Sequence, residues 1–538
     1  MLDRPATDDS LGLASGACSA RGRGPASDPA EADTLHEECA VFGVYAPEED
    51  VARLTYFGLQ ALQHRGQESA GIAVADGESI VVSKDMGLVT QVFDEAKLSA
   101  LSGHVAIGHT RYSTAGGADS WEAAQPHLST VGEQIVALAH NGTLTNTAEL
   151  RSRLVDAGVP FRSPADSEVA AKLIGAGTVR TNSMRAGIKK AMQLMQGAYS
   201  MVLISYQALY AFRDPYGIRP LCIGVLPNQG GYVVASETCG LDILGATYLR
   251  DVRPGEIVKI DGVHSHNLRS MQAVPARSQA SCIFEYVYFA RPDSILAGQS
   301  VYQAREHMGK NLAVEAPAPD ADLVIGVPDS GVPSAIGFAK QAGIPYREGI
   351  VKNRYVGRTF IQPTQRLRQL GIRLKLNPLP ETIRGKRLAV IDDSIVRGNT
   401  SKQLVQMLRE AGAAEVHLRI VSPKIVWPCF YGIDTDIQSE LIAAQKSVEQ
   451  ICQFVQADSL AFLSVEGMTA AVTGLHPEEV RARSAADPQH SCGYCTACFT
   501  GEYPIRISEA MQERSFCGDL EPTFWPETDE SGTMPLPL

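Results

Sequence analysis

The chain has 538 residues, 44% of them hydrophobic and 20% charged, the composition of folded globular protein in roughly two to four domains. A formal net charge of −12 argues against a general nucleic-acid binder, and no run of about 18 apolar residues is present to span a membrane. The first residues lack the basic and apolar segments of an export signal, so the expected compartment is cytoplasmic. The eleven cysteines, an odd number, then point to catalysis or metal rather than to a disulfide framework.

Residues 1–38 are rich in Ala, Gly, Ser, Pro and Asp, with almost no β-branched or aromatic residues, and are expected to be disordered. At Cys39 the character changes to an alternating strand, Cys39-Ala-Val-Phe-Gly-Val-Tyr45, followed by an amphipathic helix from Val51 to Leu62. Four polar clusters follow: Gln63-His64-Arg65-Gly66-Gln67-Glu68-Ser69-Ala70-Gly71, Gly108-His109-Thr110-Arg111-Tyr112-Ser113-Thr114, Ala139-His140-Asn141-Gly142 and Ala165-Asp166-Ser167-Glu168. Together they resemble the glutaminase domain of N-terminal-nucleophile amidotransferases, an α+β fold of αββα layers. Attack of a thiolate on a glutamine amide needs a base, and no histidine adjoins Cys39 in sequence. An α-amine freed at Cys39, with a pKa near about 8, would serve. The resemblance implies that residues 1–38 are a propeptide cleaved after Glu38, leaving Cys39 as the nucleophile. It also implies an oxyanion hole from the Asn141 side chain and the Gly142 N–H. Arg111 would clamp the substrate α-carboxylate, and Asp166 its α-ammonium.

From Tyr199 to about Ile260 short strands and turns continue, enough to complete a two-layer sandwich, with Arg213 to Pro220 as a structural turn. The pattern lapses near Val274-Pro275, which sets the expected domains at 39–273 and 274–507. In the second, Ala321 to Val327 reads as a strand turning through Pro328-Asp329-Ser330-Gly331 into a helix. Lys386 to Ser401, KRLAVIDDSIVRGNTS, reads as a buried strand, a two-carboxylate elbow and a small polar loop opening a second helix. Ligands of open α/β sheets sit beyond such strand ends, and Gly398 would let backbone N–H groups wrap a phosphate. Between Arg347 and Arg387 lie eleven Lys or Arg and only two acids, a basic island suited to a compact polyanion.

This second pattern resembles the type I phosphoribosyltransferases, an α/β fold. By that resemblance Asp392, Asp393, Ser394, Arg397, Gly398, Asn399, Thr400 and Ser401 would bind phosphoribosylpyrophosphate. Lys352 and Tyr355 would join them from a mobile loop that closes over the substrate. Ser330, Asp392 and Asp393 would hold one Mg²⁺ per subunit. Asn399 replaces the threonine more usual there and keeps a side-chain donor.

Cys495-x-x-Cys498 has metal-ligand spacing, and Cys492 extends it to C-x-x-C-x-x-C, leaving open which thiols at that end would ligate. Four thiolates suit either a [4Fe–4S] cluster or zinc. Cys429 in Trp-Pro-Cys-Phe-Tyr-Gly and Cys282 before Ile-Phe-Glu-Tyr-Val-Tyr complete a set. That set, Cys282, Cys429, Cys495 and Cys498, resembles the iron–sulfur branch of the glutamine phosphoribosylpyrophosphate amidotransferases, which favours the cluster, in a structural role. Cys222, Cys239, Cys452 and Cys517 read as core or incidental, and the Pro- and acid-rich residues 508–538 as a disordered tail.

The family resemblance spans about Cys39 to Ile507. It implies hydrolysis of glutamine at Cys39, internal passage of ammonia, and displacement of pyrophosphate to give 5-phosphoribosylamine, the first committed step of purine (IMP) synthesis. It also implies inhibition by purine nucleotides and a homotetramer, with no nucleic-acid or membrane partner. Another Cys-type amidotransferase with a sugar-isomerase half would not carry the Asp392-Asp393 loop. A non-catalytic phosphoribosylpyrophosphate sensor would need no glutaminase clusters.

Overall fold

The computed structural model describes residues 39–111, 121–131, 134–353, 375–486, 492–516 and 522–525. The segment 1–38, Tyr112, Tyr355 and Cys517 lie outside the described residues.

In chain order the first half forms β1 (Ala40–Tyr45), β2 (Ser69–Ala75), β3 (Ile80–Met86), β4 (Val105–Arg111), β5 (His127–Val131), β6 (Gln134–Leu144), β7 (Gly197–Ile204) and β8 (Leu209–Arg213). It continues with β9 (Cys222–Val225), β10 (Tyr232–Ala235), β11 (Thr247–Asp251), β12 (Glu256–Ile260) and β13 (Leu268–Gln272). These make a seven-stranded sheet in the order β11-β9-β10-β1-β4-β2-β3 and a six-stranded sheet in the order β13-β12-β8-β7-β6-β5.

The period-two alternation of β1 explains the layering. Val41 and Tyr45 pack between the sheets with Ile107, Ala139, Val202 and Leu209. Ala40, Phe42 and Val44 face the other way, onto Ala52 and Leu59 of helix Val51–Ala61, whose N-terminus is capped by the Asp50 carboxylate accepting the Arg53 N–H at 3.0 Å. On the far face of the second sheet, Val136 and Leu138 meet Leu173, Ile174 and Ile188 of helices Asp166–Thr181 and Met184–Leu194. Helix, sheet, sheet and helix therefore stack as the αββα sandwich expected. The turn from Arg213 to Pro220 is structural: the Arg213 guanidinium donates to the carbonyls of Arg219, Gly217 and Val252, and the buried Asp214 carboxylate accepts the N–H groups of Tyr199, Tyr216 and Ile218.

The second half opens with β14 (Ser281–Cys282), a small hairpin of β15 (Ile295–Leu296) and β16 (Gln299–Ser300), then β17 (Leu323–Gly326), β18 (Ile350–Lys352) and β19 (Leu376–Pro378). β20 (Arg387–Asp392), β21 (Glu415–Ile420), β22 (Ser459–Phe462) and β23 (Tyr494–Cys495) follow. A parallel sheet of four strands, β17-β20-β21-β22, carries the α/β fold. Its strands are apolar on both faces: Val324, Ala389 and Ile391 pack on one side and Ile325, Leu388 and Val390 on the other.

The tail departs from expectation. Residues 509–515 form a helix capped by Ser508, Thr523–Phe524 pairs in parallel with Glu502–Tyr503, and Phe516 packs against Trp427, Phe430 and Tyr503. Bulky apolar side chains spaced among acids and prolines were enough to dock these segments, which an average over composition concealed.

Candidate active sites

Cys39 stands at the mouth of β1, the central strand of its sheet. Neighbouring β4, where Ala40 pairs with Thr110, delivers Arg111 to the same end. Arg111 Nη1 is buried with no hydrogen-bond partner among the described residues, a cationic donor suited to an anionic ligand group. β6 brings Asn141 and Gly142, both within the pairing with β7. Gly142 adopts φ +134°, and a Cβ there would stand 2.1 Å from the Ala198 carbonyl oxygen, so only glycine fits.

Asp166 begins its helix with both oxygens engaged: Oδ1 lies 3.3 Å from His140 Nδ1, and Oδ2 accepts the Leu144 N–H at 3.0 Å. Burial alone would raise its pKa, but His140 and these hydrogen bonds leave it below the ordinary carboxylate value. Beneath the site the His140 carbonyl accepts from His109 Nε2 at 3.0 Å, and the His140 N–H donates to Gln125 Oε1 at 2.7 Å. Burial pushes both His109 and His127 down to about 3, so both are neutral rings.

The second site lies at the carboxyl end of β20. Both flanks pin its backbone: the Val327 N–H donates to the Ile391 carbonyl at 2.9 Å, and the Val421 and Ser422 N–H groups donate to the Asp392 and Asp393 carbonyls at 2.9 and 2.8 Å. Asp392 and Asp393 are nearly buried. Asp393 accepts from the hydroxyls of Ser330 and, at 2.6 Å, Ser394. Burial, and then the adjacent carboxylate, raises Asp392; burial raises Asp393 against the pull of the two serines and Arg305. Two carboxylates held side by side out of water call for a cation. Gly398, at φ +84°, caps helix Asn399–Glu410, so the N–H groups of its first turn open onto the Asp392-Asp393 loop, with Thr400 and Ser401 in that turn. Arg397 pairs with Glu440, and Lys352 Nζ lies 2.7 Å from Asp329 Oδ2, joining β18 to the loop that carries Ser330.

The four expected thiols converge. Cys282 and Cys495 pair directly in the parallel bridge of β14 and β23. The Cys498 carbonyl accepts the N–H groups of Val426 and Trp427, each at 3.1 Å, which brings Cys429 alongside. Burial raises all four thiols, Cys282 to about 11, and Cys282, Cys429 and Cys495 each push Cys498 higher still. Burial raises the Cys492 thiol as well, against the pull of Arg483. Among the described residues no group of three or more His, Cys, Asp or Glu is close enough to share a single metal ion.

Sequence reasoning missed three features here. Ser236 bridges Val41 and Asn141. Arg65, fully buried, pairs with Glu237 and with Glu285 at 2.5 Å, and Glu285 also takes Arg219 at 2.9 Å. Arg65 and His64 hold Glu237 far below the ordinary value although burial pulls the other way. Gly432 sits against Gly142. Arg65 belonged to a recognised cluster, but nothing in sequence linked it to a glutamate two hundred residues away.

The sequence pattern of the glutamine amidotransferase domain family matches residues 109–242. The amidophosphoribosyltransferase of Synechococcus elongatus is 52% identical over 483 residues, 89% of this chain and 94% of that protein. That of Bacillus subtilis is 47% identical over 89% of this chain and 96% of its own. A solved structure of glutamine phosphoribosylpyrophosphate amidotransferase from B. subtilis, in complex with ADP and GMP, superposes with a TM-score of 0.78 at 45% identity, covering 88% of this chain and 98% of that one. A structure described as the allosteric regulatory enzyme of purine biosynthesis gives 0.79, also at 45% identity, covering 88% and 97%. The chain belongs to the amidophosphoribosyltransferase family, the glutamine phosphoribosylpyrophosphate amidotransferases of the first step of purine synthesis.

Proposed function

We propose that residues 39–273 form the glutaminase and 274–507 the phosphoribosyltransferase of one coupled reaction, and assign its residues as follows. The observation that carries the assignment is Cys39 at the start of a central strand, with Arg111 from the next strand and Asn141-Gly142 from the facing sheet. Cys39 Sγ attacks the glutamine amide carbon, and the α-amine of Cys39, free once residues 1–38 are removed, takes the thiol proton and passes it to departing ammonia. Asn141 Nδ2 and the Gly142 N–H receive the oxyanion. The unpartnered Arg111 Nη1 supports a role in holding the substrate carboxylate, and Asp166 faces its ammonium. Water then releases glutamate from the thioester.

At the second site the first turn of helix Asn399–Glu410, with Arg397, Gly398, Thr400 and Ser401, binds the 5-phosphate. Asp392 and Asp393 hold the ribose hydroxyls. The buried pair with the hydroxyls of Ser330 and Ser394 fits Mg²⁺, which supplies positive charge against the departing pyrophosphate. Lys352, which ends β18 rather than lying in a loop, is taken from Asp329 by the pyrophosphate, and Tyr355, outside the described residues, keeps its assignment to the sugar substrate. Ammonia adds to C1 of the ribose as pyrophosphate leaves. Confining it between sites keeps it neutral and at high effective concentration.

Cys282, Cys429, Cys495 and Cys498 fit a [4Fe–4S] cluster better than zinc. The family resemblance favours the cluster, and the thiols lie near enough to influence one another's charge. Its role is structural. The ADP and GMP on the B. subtilis relative support inhibition by purine nucleotides here, and a homotetramer accompanies that reading.

The test is glutamate release by anaerobically purified full-length protein, with and without phosphoribosylpyrophosphate and Mg²⁺, after N-terminal sequencing and iron, sulfide and zinc analysis. A chain starting at Cys39 whose glutamate release rises with the sugar substrate as phosphoribosylamine forms supports the assignment. Untouched glutamine despite a free Cys39 overturns it, and stoichiometric zinc without sulfide overturns the cluster.

A further inference from the structure

Ser236 follows β10 and is 1% exposed. Its hydroxyl meets three groups: it accepts the Val41 N–H at 3.0 Å, lies 3.4 Å from the Val41 carbonyl oxygen, and lies 3.5 Å from Asn141 Nδ2. The Ser236 N–H also donates to the Val41 carbonyl, at 3.1 Å. Serine is thus stitched by backbone and side chain to the strand that begins beside the nucleophile.

A hydroxyl has one hydrogen and two lone pairs. The Val41 carbonyl can only accept, so the hydrogen is spent there. The lone pairs are left for the Val41 N–H and for Asn141. What Asn141 turns toward Ser236 must therefore be its NH₂ end, because a carboxamide oxygen would meet a lone pair. A carboxamide has nearly the same shape in its two orientations, so packing alone does not select between them; this wiring does. One amide hydrogen engages Ser236 and the second stays free for a ligand. In the flipped orientation the amide oxygen would face the developing oxyanion and repel it.

We propose that Ser236 is the positioning residue of the oxyanion hole: its hydroxyl holds the Asn141 carboxamide in the orientation that offers an N–H to the reacting oxygen. The inference rests on the reading of Asn141 as the oxyanion donor. Nothing in the chain's clusters around Cys39, Arg111 or Asp166 assigns this serine a part.

The experiment is a double-mutant cycle on the processed full-length enzyme: wild type, Ser236→Ala, Asn141→Ala and both together, each with kcat and KM for glutamine. Asn141→Ala lowers kcat by about 10²–10³-fold, the cost of an oxyanion donor. Ser236→Ala lowers kcat roughly tenfold, since the amide can still sample the correct orientation, and leaves KM within about twofold. Added to Asn141→Ala, it lowers kcat no further. An equal loss in both backgrounds would mean that Ser236 acts through Val41 on the nucleophile strand, and would overturn the proposal. So would a full-rate Ser236→Ala enzyme beside an impaired Asn141→Ala one, with the oxyanion reading intact. A full-rate Asn141→Ala enzyme would remove that reading and the proposal with it. Ser236→Cys, which keeps a weaker hydrogen-bonding side chain, repeats the cycle with a smaller loss should the alanine variant fail to fold.

Discussion

Gly432 lies face to face with Gly142: a methyl built on Gly432 would stand 3.5 Å from the Gly142 Cα. Gly432 comes from the segment carrying Cys429, and Gly142 from β6, where the oxyanion donors are proposed, so the Cys429 segment packs against that strand. Thr145 Oγ1 also crosses from the first half, donating to the Arg506 carbonyl at 3.5 Å, and Tyr431 holds the neighbouring Ile505 carbonyl within the second half at 2.5 Å.

Gly432 has φ +127°, a conformation that side chains rarely adopt. Gly432→Ala is expected to cost about 1–3 kcal/mol in backbone strain and to shift the loop against Gly142. Glutamine-dependent synthesis should fall by roughly tenfold or more, and ammonia-dependent synthesis by much less. Parallel assays with the two nitrogen sources check this; equal losses would place the damage elsewhere.

Asp393→Asn removes one charge from the buried pair and one acceptor from Ser330 and Ser394. Affinity for phosphoribosylpyrophosphate should weaken at least about tenfold, with a higher Mg²⁺ requirement, because a carboxylate is the stronger ligand for a hard cation. Calorimetric titration of the sugar substrate across Mg²⁺ concentrations reads both effects.

Glu285 joins the two halves of the chain through Arg65 and Arg219, all three buried. Glu285→Ala removes the buried carboxylate that Arg65 and Arg219 share, leaving Arg65 its pair with Glu237, and should cost about 3–5 kcal/mol. The thermal midpoint should drop by roughly 5–10 °C. An unchanged midpoint would mean that water or another carboxylate replaces Glu285.

The neutral His109 and His127 make stability depend on pH. In the unfolded chain each imidazole binds its proton near about pH 6.5, whereas in the fold burial delays this to about 3. Between those values the unfolded state holds more protons, so stability falls as pH drops from about 6.5 toward 3. Between pH 6.5 and 5 the loss should be about 1–2 kcal/mol for each ring. Denaturant midpoints at the two pH values measure it, and His127→Gln should flatten the slope.

Much was legible in sequence because it is local. The alternation of Ala40 to Tyr45, the two-sided apolar run before Asp392 and the glycine at 398 each follow from residues a few positions apart, since strand pleat and helix-terminal geometry repeat over short distances. Cys282, Cys429, Cys495 and Cys498 came from recognised motifs. The docked tail was misread because Phe516, Phe524 and Trp525 find partners only in the folded chain, Phe516 on Phe430, Phe524 on Tyr503 and Trp525 on Tyr216 of the first half.

By itself, then, the chain's order of residues determined two sheets with helices outside, a parallel sheet ending in paired carboxylates, and the chemical types at both sites. Only the tertiary structure decided which groups meet across the fold. Ser236 reaches Asn141, Arg65 shares Glu285 with Arg219, and Gly432 touches Gly142. Such pairings depend on strand order and on how two domains dock, and these are settled by the collective burial of many side chains rather than by any local spacing.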